Sequence, residues 1–251
     1  MTEYEIKRYA VRLGDDSLIL GHRLSEWCSR GPFLEEDLAL SNTALDFIGR
    51  ARMFYSYAAE LSSVQLTEDY FAYQRDCRDF SNLLICELPN GDFAFTLARQ
   101  YFLDEFYCLF MSSLADSSDE RLGGIAAKAI KESQYHLRRS REWMLRLGDG
   151  TAESHARLQR ACNDLWGYTS EMFQADELDR QLVVHAVGVD VVALKADWQR
   201  LTAATLAEAT IECPMADWSV TGGRQGIHTE ALGHLLAELQ YVQKTYPGLE
   251  W

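Results

Sequence analysis

Helical periodicity runs through almost all of the 251 residues, and it limits the fold more than any other feature. Apolar residues recur at three- and four-residue steps in each long segment, which is the spacing of a helix with one buried face. Only four prolines interrupt the pattern, at positions 32, 89, 214 and 247. No region reads clearly as a β-strand. The sequence therefore predicts an all-α protein.

The predicted helices follow one another with short breaks, at about 15–28, 34–61, 68–87, 93–114, 122–147, 152–173, 176–186, 191–210 and 229–244. One long irregular stretch, 211–226, separates the last two. Four long helices at about 15–60 and 93–147, joined by a crossover at 62–92, have the connectivity of a ferritin-like helical bundle. We expect one domain over 1–251, with a core bundle at about 15–147 and a helical C-terminal extension at about 151–251. Periodicity alone does not fix topology, so other helical folds also fit.

Charge and composition exclude several classes of partner. The formal net charge is −14, from 24 basic and 38 acidic residues, which disfavours nucleic acid and anionic membrane surfaces. The longest run without a charged residue, Phe106 to Ala115, is too short to span a membrane. The acidic start Met1–Glu5 lacks the apolar core of a signal peptide. The six cysteines are scattered without any Cys-x-x-Cys, which predicts reduced thiols in a cytoplasmic protein.

The helix at 122–147 has polar residues in the middle of its apolar stripe: Ser133, His136 and Ser140. Ferritin-like di-iron proteins place a Glu-x-x-His pair at this point of two helices, because positions i and i+3 share one face. Ser133 stands where that carboxylate belongs. An inward histidine is more often a hydrogen-bonded core residue than a metal ligand, and His136 fits that interpretation.

The sequence contains no complete set of di-iron ligands. None of the six histidines has Glu or Asp three residues before it. Asp104 and His136 could fill two of six ligand positions, but Asn42 and Leu45 occupy the places of a second Glu-x-x-His pair. Two ligands do not hold two irons. We therefore expect a vestigial site without metal, in which Asp104 and His136 hydrogen-bond each other or nearby polar groups.

A second candidate site is the segment from Arg75 to Asn82, which mixes charged, aromatic and small polar side chains in an acidic chain. Packing of a helix surface into the crossover is the simpler interpretation. A polyanionic ligand such as coenzyme A is the alternative, and its contacts would be Arg78, Asp79, Phe80, Ser81 and Asn82. Near the other end of the chain, Glu230 and His234 are better explained as a solvated i, i+4 pair than as metal ligands.

Several segments, spread over essentially the whole length, resemble one known family. They are Leu13-Gly14-Asp15, Leu34-Glu35, Asp37–Leu40, Leu45-Asp46, Phe80–Leu84, Pro89–Gly91, Ala98–Phe102, Ala127–Glu132, Tyr135–Arg138, Thr221–Gly223, Gly226, His228–Glu230, Leu232-Gly233, Leu236–Glu238 and Tyr241. The segments after Thr221 are the most specific. On these residues the chain is similar to the structural C subunits of bacterial phenylacetyl-CoA 1,2-epoxidases, which are multicomponent monooxygenases of phenylacetate catabolism.

The resemblance implies a ferritin-like, non-catalytic subunit that pairs with a catalytic A subunit holding the di-iron centre. It implies no cofactor in this chain, and a position of Phe80-Ser81-Asn82 near bound coenzyme A. Two alternatives stay open: a catalytic di-iron oxygenase, and a stand-alone helical binding protein. We expect the chain to self-associate or to pair with another ferritin-like chain. Such association requires exposed apolar surface, and the candidates are Phe54, Tyr57, Phe106 and Phe110 with the tail residues Tyr246 and Trp251.

Overall fold

The computed structural model describes residues 2–249 and confirms the all-α class: within that range there is no β-strand. The α-helices are α1 (Glu3–Ser25), α2 (Leu34–Glu60), α3 (Glu68–Tyr73), α4 (Leu84–Glu87), α5 (Phe93–Leu114), α6 (Glu120–Gly148), α7 (Ala152–Thr169), α8 (Glu177–Val184), α9 (Val191–Glu208) and α10 (Glu230–Thr245). Single 3-10 turns lie at Cys77–Asp79, Ser170–Phe173 and Gly223–Gln225.

Two compact units share the chain, one made of residues up to Pro89 and from Gly222 onward, the other of Asn90–Thr221. We call them unit 1 and unit 2. Unit 1 is built on α1 and α2, which run antiparallel: Gly14 lies against Tyr55, and Gly21 lies against Ile48. The missing Cβ atoms at these glycines let the two helices approach closely. An antiparallel helix pair of this kind is the building block of a ferritin-like bundle.

Unit 2 is built on α5 and α6, which run antiparallel: Phe93 packs against Trp143, and Gly123 lies near Ala115. Helices α7 and α9 pack against α5. Helix α5 is buried around most of its circumference, as expected of a helix that carries apolar residues on all sides. Trp198 of α9 is fully buried and donates from Nε1 to the Phe102 carbonyl at 3.0 Å. Its indole also lies 5.6 Å from the ring of Trp166 on α7. These aromatic contacts attach the later helices of unit 2 to α5.

The predicted start of the first helix at Asp15 is wrong, because α1 begins at Glu3. Thr2 and Glu5 form a capping box there, in which the Glu5 carboxylate accepts from the Thr2 amide at 2.7 Å. Asp15 is therefore a buried mid-helix residue and does not mark a helix N-terminus.

The predicted helix at 68–87 is also wrong, since this segment is divided into α3, a 3-10 turn and α4. The amides of Ser81 and Leu83 donate to the carboxylates of Asp15 and Asp16 on α1, at 2.8 and 2.7 Å. Amides that donate to these carboxylates cannot also donate the backbone hydrogen bonds of a continuous helix. A long-range contact has replaced the local helix.

The predicted C-terminal extension, at about 151–251, does not coincide with either unit. Residues predicted as one C-terminal extension belong to both units, with 151–221 in unit 2 and 222–249 in unit 1. The single domain over the whole chain stays a prediction.

The predicted interface aromatics are wrong for the four that lie on helices. Phe54, Tyr57, Phe106 and Phe110 are all buried within the chain. Their helices bury more than one stripe, so a residue outside the first apolar stripe still enters the core. Tyr246 is half exposed, at 52%, and Trp251 lies outside the described residues.

Candidate functional site

The main polar cluster of the described chain is a set of three buried ion pairs in unit 1. Each pair joins one carboxylate to one cation: Asp15 to Arg75, Asp16 to Arg224, and Glu87 to His228. We call these six residues the ion-pair network. The carboxylates come from α1 and α4, whereas the cations come from the segment after α3 and from the loop before α10.

Asp15 is the centre of the first pair. Its carboxylate accepts from the Tyr55 hydroxyl at 2.6 Å, from the Arg75 guanidinium, and from the Ser81 amide at 2.8 Å. Burial raises the pKa of Tyr55 well above its ordinary value, and the neighbouring negative charge of Asp15 acts in the same direction. Tyr55 therefore stays a neutral donor to Asp15.

Asp16 forms the second pair with Arg224 through two hydrogen bonds, at 2.9 Å to Oδ1 and 2.8 Å to Oδ2. The same guanidinium donates to the Ser81 carbonyl at 2.7 Å. Burial raises the pKa of Asp16, while the charge and hydrogen bonds of Arg224 act against that rise. Arg224 thereby holds both α1 and the backbone at Ser81.

Glu87 and His228 form the third pair, with His228 Nδ1 2.7 Å from Glu87 Oε2. The other ring nitrogen, Nε2, lies 2.9 Å from the Phe80 carbonyl oxygen. Both neighbours are acceptors, so the ring satisfies them best when both nitrogens carry a proton. Burial lowers the pKa of His228, but the hydrogen bonds to Glu87 and Phe80, together with the negative charges of Glu87 and Asp15, outweigh burial and leave the pKa raised.

The residues predicted to contact coenzyme A lie inside this network or at its edge. Phe80 and Asn82 are buried, Ser81 is half-buried, and Arg78 and Asp79 are exposed. Asn82 Nδ2 donates to Glu87 at 2.9 Å, and Ser81 Oγ donates to Asp15 at 3.1 Å. Phe80 lies under the Arg75 guanidinium, 4.1 Å from ring centroid to Cζ. Phe80, Ser81 and Asn82 are thus held by the chain itself, and contact of this segment with a thioester stays a prediction.

The vestigial positions of unit 2 lie on facing surfaces of α5 and α6. Asp104, Ser133 and His136 are all buried. The Asp104 carboxylate accepts from Gln100 Nε2 at 2.6 Å and from Ser140 Oγ at 2.8 Å. The predicted bonding of Asp104 to nearby polar groups is therefore seen with Gln100 and Ser140.

Asn42 and Leu45 in unit 1 lie on the exposed face of α2, and the exposed fraction of Leu45 is 65%. The buried face of the same helix carries Thr43, Ala44 and Phe47. A Glu-x-x-His pair at positions 42 and 45 would face solvent, so the prediction that these two positions face the bundle interior is wrong.

The fold class raises the question of whether a di-iron centre fits this chain. Both oxygens of Asp104 already accept hydrogen bonds, and Ser133 offers a hydroxyl where a carboxylate is needed. Within residues 2–249, no group of three or more His, Cys, Asp or Glu side chains is arranged to hold a metal ion. The residues present do not fit the two-iron set of such bundles.

Sequence reasoning missed the ion-pair network as a unit. Its members come from four separate parts of the chain, so no local spacing reveals them. One signal was available: Asp15 and Asp16 are the only charged residues in the stretch from Leu13 to Leu20. Adjacent carboxylates in such a stretch require buried partners.

None of the helices in residues 2–249 is long and apolar enough to cross a membrane.

Two comparisons with known proteins agree. The family model described as "Phenylacetic acid catabolic protein" matches residues 1–251. The chain is also similar to the curated C subunit of the 1,2-phenylacetyl-CoA epoxidase of Escherichia coli (strain K12). The two are 49% identical over 247 residues, which cover 98% of this chain and 99% of that protein.

Proposed function

The chain belongs to the phenylacetic acid catabolic protein family, and from this premise we propose that it is a non-catalytic structural subunit of a phenylacetyl-CoA 1,2-epoxidase. The observation that carries the proposal is the 49% identity to the C subunit of the Escherichia coli epoxidase over nearly the full length of both proteins. Similarity over whole chains, including the loop after Thr221, supports a shared role and not only a shared fold.

The residues of α5 and α6 support the non-catalytic part of the proposal. Ser133 replaces a ligand carboxylate one helical turn before His136, and Ser140 and Gln100 occupy the oxygens of Asp104. Dioxygen activation is then the task of a catalytic partner that holds the di-iron centre. This chain would contribute a stable helical surface for that partner.

Two finer points belong to the same proposal. The six cysteines are all free thiols, which supports a reducing, cytoplasmic setting. If the assembled enzyme brings a coenzyme A thioester near this chain, the exposed Arg78 guanidinium is the group suited to its phosphates. In that case Arg78→Gln raises the KM of the assembled enzyme for the thioester, and an unchanged KM removes this contact from the proposal.

Iron analysis separates this function from that of a di-iron oxygenase. We expect the purified chain to contain far less than stoichiometric iron and to show no oxygen-dependent turnover by itself. Ser133→Glu creates one Glu-x-x-His pair but supplies no second one, so it should also lack turnover. Tyr135→Glu, on the exposed side of the same helix, is the matched control for the added charge. Two irons per chain with turnover would contradict the proposal.

Co-purification with the catalytic subunit tests the scaffold role directly. We expect a stable complex of the two chains at micromolar concentration by light scattering. A clean monomer, both alone and with the catalytic subunit, would favour a stand-alone binding protein instead.

A further inference from the structure

Helix α2 carries a second apolar stripe that the chain leaves exposed. Leu34, Leu38 and Leu45 are 71%, 55% and 65% exposed, and Asn42 and Gly49 continue the same line. The steps of four and three residues place all of them on one face of a straight helix. From Leu34 to Gly49 the stripe is about 22 Å long, at 1.5 Å per residue. Nothing lies within 4 Å of a Cβ built on Gly49, so another helix could approach closely there.

A cavity of about 320 Å³ opens beside the C-terminal half of this stripe. Leu18 and Ala51 supply apolar lining, Tyr55 and Tyr73 supply rings, and Glu68 and Asp69 supply carboxylates. Arg52 also lines the cavity and pairs with Glu68, so Asp69 leaves the lining with a net negative charge. Asp69 precedes Tyr73 by one turn of α3. Burial raises the pKa of Tyr73, and the negative charge of Asp69 adds to the rise. An apolar lining with rings and carboxylates suits a long cationic side chain.

We infer that the stripe and the cavity together form a docking face for a helix of a different chain, one that presents an apolar stripe and an arginine or lysine. The cation enters the cavity beside Glu68 and Asp69, while apolar side chains cover Leu38 and Leu45. Arginine anchors in pockets are common among the residues that dominate interface energies. The inference rests on the proposed function, because it locates the surface used by the catalytic partner.

Charge makes a second copy of this chain a poor occupant. Between residues 34 and 52 the basic residues are Arg50, which is buried, and Arg52. Arg52 is already engaged at its own cavity, with Nε 3.1 Å from Glu68 Oε1. Two copies would also bring together chains that each carry a net charge of −14. A partner with an unengaged cation satisfies the carboxylates without breaking that ion pair.

The test uses the full chain and the purified catalytic subunit, with the Kd measured by biolayer interferometry. Leu38→Glu combined with Leu45→Glu should raise the Kd at least about thirtyfold, the effect of losing a hot spot of about 2 kcal/mol. The matched control is Val184→Glu combined with Val192→Glu, which adds the same charge at two other exposed apolar positions. Circular dichroism of each variant checks that its helices are intact.

The cavity is tested separately. Glu68→Gln combined with Asp69→Asn should raise the Kd about tenfold and weaken its dependence on salt. Arg52→Gln should lower the Kd, because it frees Glu68 for the partner's cation. If Arg52→Gln instead weakens binding, and the Glu68 and Asp69 changes have no effect, the cationic anchor is wrong.

The remaining outcomes are distinguishable. If the wild type binds the catalytic subunit and the Leu38→Glu, Leu45→Glu variant binds it equally well, the docking face is wrong and the proposed function stands. Failure of the wild type to bind the catalytic subunit overturns both. If the chain alone forms a dimer, and Leu38→Glu with Leu45→Glu dissociates that dimer, the occupant of the docking face is a second copy and the inference is overturned.

Discussion

His228 shows how a single side chain is fitted to its place in the ion-pair network. A buried carboxylate such as Glu87 is costly unless a cation and hydrogen-bond donors compensate it. Glu87 accepts from His228 Nδ1 at 2.7 Å, from the Thr229 amide at 2.6 Å and from Asn82. The imidazolium thus neutralises a charge, and it also holds the Phe80 carbonyl.

This arrangement predicts a specific pH dependence of stability. The pKa of His228 is raised in the folded protein. The stability that protonated His228 contributes is therefore complete below about pH 6.5, the pKa of histidine in the unfolded chain, and is lost as the pH rises through the pKa in the folded protein. The Tm difference between the wild type and His228→Gln should therefore be largest near pH 6 and shrink toward pH 9. Scanning calorimetry across this range measures it.

His234→Gln is the control, because His234 is an exposed residue of α10 in the same unit. It should leave the Tm nearly unchanged throughout. A difference between wild type and His228→Gln that grows with pH would contradict the assignment of a protonated ring.

At the scale of elements, the irregular segments are fixed by side chains rather than by helices. The backbone between Phe80 and Leu83 is held by α1 carboxylates and by His228, and the 3-10 turn Gly223–Gln225 lies directly against it. A Cβ on Gly223 would lie 2.1 Å from the Asn82 carbonyl oxygen, which no real structure permits. This glycine is required by close approach of two backbones.

Gly223→Ala should therefore lower the free energy of unfolding by about 2–4 kcal/mol, because the turn must move away from Asn82 and strain the Arg224 and His228 contacts. Urea denaturation measures the change. Gly233→Ala is the matched control: its Cβ would meet nothing within 4 Å, and alanine favours helix α10 by about 1 kcal/mol. Equal effects of the two substitutions would show that the close approach is not what constrains position 223.

On the scale of the whole molecule, unit 1 is completed only by the last part of the chain. Residues from Gly222 onward supply Arg224 to Asp16 and His228 to Glu87, and Gln240 of α10 donates to the carbonyls of Ala72 and Arg75, both at 3.0 Å. Without this segment, two buried carboxylates lose their cations.

Deletion of residues 222–251 should consequently destabilise unit 1 by more than any single substitution, since breaking one buried pair already costs about 3–5 kcal/mol. We expect rapid proteolysis within residues 2–89 and a lower Tm. The control is removal of residues 247–251 only, of which 247–249 are exposed. If the longer deletion is as resistant to protease as the control, unit 1 does not depend on the returning segment.

The sequence by itself determined the fold class and most helices, because helical periodicity is a local property. The prediction of a helix at 34–61 is confirmed by α2 at Leu34–Glu60, and the prediction at 93–114 is confirmed by α5. Local signals of this kind come from propensity, capping and one buried face. The resemblance to the family also rests on short local segments.

Only the tertiary structure decided which faces are buried and which residues meet. Asn42 and Leu45 are exposed although the sequence predicts them inside, whereas Phe106 is buried although it is a candidate for the surface. A helix that carries two apolar stripes, or is apolar all round, gives no sequence signal for which stripe the core covers. The ion-pair network is also decided by tertiary structure, because Asp16 and Arg224 are 208 residues apart in sequence. Burial of an unpaired charge is so costly that neither residue can be buried without the other.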